Sequence, residues 1–98
     1  MKRCTVDLHA TPFKGDEFGA LWRPHAARAL DFGATAYSFV RSEDDPLHFT
    51  FSSDWPNPDD FDDYWYGDKL SQAREEASGL VQVPILPAWV KVISSGSA

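Results

Sequence analysis

At 98 residues the chain has room for one hydrophobic core and not for a second. Its formal net charge is −6, and the span from Asp54 to Asp68 holds six acids and no Lys or Arg, which excludes nucleic acid and anionic membrane as partners of that surface. Four Trp, seven Phe and three Tyr make up 14% of the residues, so the core must be built from rings, each contributing roughly 1.5–3 kcal/mol on burial.

Cys4 is the only cysteine, which excludes an intrachain disulfide and a cysteine-based zinc site and fits a reducing, cytoplasmic setting. The chain has no run of about 18 apolar residues, and Met1-Lys-Arg-Cys-Thr-Val-Asp7 turns polar too early for a signal peptide, so a soluble protein is expected.

In chain order, Cys4–Ala10 alternates and predicts a first strand, with Val6 and Leu8 on one face and Thr5, Asp7 and His9 on the other. From Asp16 to about Asp31, Phe18, Leu21, Trp22, Ala26, Ala29 and Leu30 recur at helical spacing, and Gly33 is placed to stop the helix. Pro24 removes one backbone hydrogen bond, so this helix either kinks there or restarts. Ala34–Val40 and Leu47–Ser53 are two strands joined by the charged, proline-bearing loop Arg41–Pro46, and they should pair antiparallel.

A second helix begins at Pro58, with Asn57 as its cap and Asp59, Asp60, Asp62 and Asp63 near its positive end. This carboxylate cluster lacks the glycine and the final bidentate acid of a calcium loop. The apolar stripe slips between Phe61, Tyr64, Trp65 and Leu70, Ala73, Ala77, Leu80, so Gly67 bends or breaks the helix. Pro84–Ile93 is the last strand, apolar on both faces, with its prolines at an edge or at its start.

The order βαββαβ is that of a ferredoxin-like α+β domain over residues 1–93, with a four-stranded antiparallel sheet, two helices on one face and a flexible tail at 94–98. Tyr37 and Phe39 oppose Ala36 and Val40 on the second strand. Ile85, Trp89 and Ile93 oppose Leu86, Val90 and Val92 on the fourth, so both faces of these strands read as apolar. A second copy packed on the bare face would bury it, and a homodimer is expected.

The element order over about residues 4–93 resembles the dimeric α/β-barrel superfamily, in particular proteins like the antibiotic-biosynthesis monooxygenases. The segment Trp55…Phe61-Asp-Asp-Tyr64-Trp65-Tyr66-Gly67 is similar to that family's tryptophan after the third strand, followed by a helix bearing a phenylalanine and, three residues on, a histidine. Tyr64 stands where that histidine is usual, and Lys69 stands near the place of a second one. The resemblance implies cofactor-independent oxygenation of electron-rich aromatic or polyketide-like substrates or, in a sub-branch, haem degradation. Haem iron needs an axial ligand from the second helix, and His9, His25 and His48 all lie elsewhere, so neither cofactor nor metal is expected.

A cofactor-free oxygenase needs a dry pocket that holds an activated phenol or enol. The residues proposed for it are Trp22, Tyr37, Trp55 and Trp65 around the substrate, with Tyr64 and His48 or His9 as catalytic groups. Each has a plainer reading. The rings are also what a small core is made of, and His9 and His48, on polar strand faces near Asp7, suit an interface or solvent-facing pair. His25, between Arg23 and Arg28, reads as a boundary residue. The alternative to an enzyme is a non-catalytic ligand-binding or accessory dimer, and a third reading is an isomerase or cyclase working by acid–base groups alone.

Overall fold

The structure, a computed structural model, describes residues 2–97. Met1 and Ala98, the outer ends of the expected domain and tail, lie outside the described residues. The elements are β1 (Lys2–His9), α1 (Gly15–Ala27), a 3-10 turn (Arg28–Phe32), β2 (Ala36–Arg41), β3 (His48–Trp55), α2 (Pro58–Trp65), α3 (Asp68–Ala77) and β4 (Ala88–Val90). Every strand pair is antiparallel and the sheet order is β2-β3-β1-β4, which makes this a ferredoxin-like α+β fold with an open sheet.

The central pair β1 and β3 is in register from Lys2 opposite Trp55 to His9 opposite His48. Because strand side chains alternate, that register gathers Cys4, Val6, Leu8, Phe49, Phe51 and Trp55 on one face, where all are buried. Phe39 lies opposite Phe51 and Trp89 opposite Cys4, so the edge strands add rings to the same face. The helices cover this face with Phe18, Trp22 and Ala26 from α1, Phe61, Tyr64 and Trp65 from α2, and Leu70, Ala73 and Ala77 from α3.

Helix boundaries follow local chemistry. α1 is continuous through Pro24, so it does not restart there, and the 3-10 turn carries the chain on to Gly33. Gly33 adopts φ 116°, the left-handed conformation that ends a helix, and its N–H bonds back to the Ala29 carbonyl. At the start of α2, Asn57 accepts a 3.0 Å hydrogen bond from the Asp59 N–H and Pro58 occupies the first position. The helix breaks at Gly67, where an added Cβ would come within 2.7 Å of the Asp63 carbonyl oxygen, and α3 starts anew on the shifted stripe.

Two expectations need correction. The last strand is not continuous over Pro84–Ile93. The chain first forms an isolated bridge, Val81 to Ala10, and only Ala88–Val90 pair as β4 against Arg3–Thr5. Pro84 and Pro87 carry no N–H for a ladder, so pairing fails between the bridge and β4. The bare sheet face is also less apolar than expected. It presents Arg3, Thr5, Asp7 and His9 from β1 and His48, Thr50, Ser52 and Asp54 from β3, with apolar Ala36, Val40, Ala88 and Val90 only at its two margins. The edge strands suggested two apolar faces, but the central pair dominates the surface.

Gly33→Ala forces a Cβ into the left-handed region and to 2.8 Å from Asp60 Oδ2. The expected outcome is a loss of about 1–2 kcal/mol in urea unfolding with an unchanged m-value. An unaltered midpoint would show that the cap contributes nothing.

Candidate functional site

The structure places the proposed site residues in two groups, on opposite faces of the sheet. On the helix face, β3 delivers Trp55, α1 delivers Trp22, and α2 delivers Tyr64 and Trp65, all at 2% exposure or less. Trp55 meets Tyr64 at 5.6 Å between ring centroids and Phe61 at 5.5 Å, Trp22 meets Trp65 edge-on at 6.1 Å, and Phe61 stacks on Trp65 at 5.6 Å. The indole of Trp55 is satisfied by a 2.7 Å hydrogen bond to Ser53 Oγ. Tyr37 shares this face at the β2 edge and is half-exposed.

Tyr64 donates its hydroxyl to the His25 carbonyl oxygen at 2.6 Å. Burial holds its phenol well above the ordinary value, with Arg28 pulling weakly the other way, so the group stays protonated and acts as a donor. Next to it, α1 and the 3-10 turn place Trp22, His25 and Arg28 at successive three-residue steps along one stripe. The His25 ring lies 6.4 Å from that of Trp22. Trp22 Nε1, His25 Nδ1 and Arg28 Nε are all buried atoms without a hydrogen-bond partner among the described residues. Burial, then the charge of Arg28, lowers the His25 pKa, which keeps the imidazole neutral and able to accept a proton.

His9 and His48 come together on the open face. Their rings stack 4.6 Å apart and 5° from parallel, and His48 Nε2 lies 3.2 Å from Asp7 Oδ1, which also accepts from Thr50 Oγ1 at 3.2 Å. Arg3 makes a two-point contact with Asp54 on the same face, at 2.7 and 3.1 Å, and this contact holds the Asp54 carboxyl below its usual range. The sheet separates these histidines from Tyr64, so the two sets do not form one pocket. Among the described residues no group of three or more His, Cys, Asp or Glu is placed to hold a metal ion.

Sequence reasoning passed over His25 and Arg28 as members of the Tyr64 neighbourhood. The available signal was two polar residues spaced three apart on the stripe that carries Trp22, Ala26 and Ala29.

The fold defines a ferredoxin-like domain with a ring-filled helix face and an uncovered sheet face. An antibiotic biosynthesis monooxygenase of known crystal structure has the same fold, with a TM-score of 0.83 at 16% identity over 96% of this chain and 100% of that one. A protein from Nitrosomonas europaea, named as a candidate antibiotic biosynthesis monooxygenase, gives 0.85 at 15% identity over 96% and 100%. One from Deinococcus radiodurans, named likewise, gives 0.84 at 17% over 100% and 98%. The fold expected from the element order over about residues 4–93 is therefore present, shared with these solved structures. No family model and no curated protein matches the sequence. No helix of the described residues is long and apolar enough to cross a membrane.

His25 titrates below its ordinary value near 6.5, so as pH falls the unfolded chain takes up this proton before the folded one. Stability present above that ordinary value is therefore lost on acidification through the folded value. Unfolding measured between about pH 7.5 and 5 should show this decline, and His25→Gln should flatten it. An identical slope in the variant would mean that His25 is not held neutral.

Proposed function

We propose that this chain is a small-molecule oxygenase of the cofactor-independent kind, acting on an electron-rich aromatic or polyketide-like substrate at the Trp22–His25–Arg28–Tyr64 cluster. The observation that carries this reading is the set of unpartnered buried atoms, Trp22 Nε1, His25 Nδ1 and Arg28 Nε, beside a phenol held as a donor. Unpaired buried polar atoms are costly, and a bound ligand offering an acidic hydroxyl and a carbonyl would satisfy them. Neutral His25 takes the proton of a phenol or enol and Arg28 stabilises the resulting anion, while the Tyr64 hydroxyl, bonded to the His25 carbonyl, holds that turn of α1 in place. The anion passes one electron to molecular oxygen, the radical pair combines, and the peroxide loses water. An anthrone methylene and one O2 become a quinone carbonyl and one H2O. The names and fold of the similar structures support the same class of reaction.

A second reading, a non-catalytic binding or accessory protein, is favoured by the satisfied Tyr64 hydroxyl and by the rings packed around it. Oxygen uptake with a panel of anthrones, naphthoquinols and catechols separates the two. The oxygenase reading expects uptake above the protein-free rate, cut roughly 100-fold in His25→Gln and at least 10-fold in Tyr64→Phe, with His48→Ala unaffected. Loss in His48→Ala alone would move the reaction to the open face. Absence of uptake with every substrate would leave the binding protein.

In the same proposal the working unit is a homodimer joined through the open sheet face. Its polar centre, flanked by Val40 at 53% and Val90 at 41% exposure, has no covering element among the described residues. The expected solution mass is twice the 11.0 kDa of one chain, and Val40→Asp should shift it toward the monomer. A single-chain mass across the micromolar range would refute the dimer.

A further inference from the structure

A cavity of about 360 Å³, within the range of small-molecule sites, lies between α3 and the segment leading to β4, and none of Trp22, His25, Arg28 and Tyr64 lines it. Arg74 and Ser78 form one side, and Val81, Val83, Pro84 and Ile85 form the other. The guanidinium is fixed in place. Nη1 donates to the Trp65 carbonyl oxygen at 2.6 Å, Nη2 to Ser71 Oγ at 3.3 Å, and the group lies over the Trp65 ring at 4.8 Å. The opposite wall is fixed too: the Gln82 N–H bonds the His9 carbonyl oxygen at 2.7 Å, and Gln82 Nε2 bonds that of Ala10 at 2.6 Å.

Among the described residues no carboxylate lies within ion-pair distance of Arg74, although acids outnumber Lys and Arg by 15 to 9 in the chain. Burial lowers the Arg74 pKa, as expected for a cation that lacks a nearby anion. Its remaining donors are preorganised for a carboxylate, and the facing aliphatic wall suits an apolar body.

We propose that this cavity binds a small organic anion, an aryl or alkyl carboxylate whose carboxylate pairs with Arg74 and whose body packs on Val81, Val83 and Ile85. The site is independent of the oxygenase reading.

The test is an amide NMR titration of the full chain with phenylacetate and with its uncharged counterpart, phenylacetamide. Phenylacetate should shift Ser78, Val81, Val83 and Ile85 saturably, and phenylacetamide should bind about tenfold more weakly or worse. Arg74→Gln should abolish that preference. Arg74 also ties α3 to the end of α2, so a second variant at the half-exposed rim, Val83→Asp, leaves that tie intact and should weaken phenylacetate more than phenylacetamide, because the new carboxylate repels only the charged probe. Equal binding of the two probes, a preference retained in either folded variant, or shifts confined to the Tyr64 side would overturn the proposal. None of these outcomes bears on oxygen uptake at His25 and Tyr64.

Discussion

The structure depends on the meeting of the β3 rings with those of α1 and α2. Phe49, Phe51 and Trp55 stand on one face of a central strand, and Phe18, Phe61, Tyr64 and Trp65 close over them. Rings that meet edge to face, as Phe49 does with Phe18 and Trp55 with Phe61, fix position and tilt more closely than aliphatic chains do. This packing sets where α2 lies and so brings the Tyr64 hydroxyl to the last turn of α1. Among the largest fully buried side chains the aliphatic ones are Leu8, Leu70 and Val6, and of these Leu70 alone comes from a helix.

One consequence is a division of labour across the sheet. Groups on the helix face are desolvated, which raises the phenol of Tyr64 and lowers the imidazole of His25. Both therefore stay uncharged near neutrality, in the form that suits proton transfer in a dry site. The polar groups of the open face satisfy one another through Arg3 with Asp54 and through Asp7 with His48 and Thr50. Such a surface is wet in a lone chain and loses little by meeting a similarly paired one, since its hydrogen bonds are already made.

Much of the fold was legible in the sequence. The β1 and β3 alternation, the Asn57-Pro58 start, the Gly33 stop and the slip of stripe at Gly67 each have a local cause that one stretch of residues displays. The approach of His9 to His48 near Asp7 was conditional on β1 and β3 being neighbours, and the register makes them so. The end of the chain was harder to read. Pro84–Ile93 has strand composition throughout, yet pairing needs a donor at each step and a partner strand in reach, and only Ala88–Val90 have both. The ring neighbourhood of Tyr64 was similarly half visible: its aromatic members follow from periodicity, whereas His25 and Arg28 join it through the packing of the end of α1 and the 3-10 turn against α2.

By itself the sequence determined the element order, the buried side of β1 and β3, the Asn57 and Gly33 caps and the aromatic nature of the core, because these are set by residues within a turn or two of one another. The tertiary structure alone decided that Tyr64 bonds the His25 carbonyl, that the histidine pair stands behind the sheet from it, and that Arg74 has no carboxylate partner among the described residues. Each of these joins residues distant in the chain, and their distances follow from register and helix docking rather than from any local propensity.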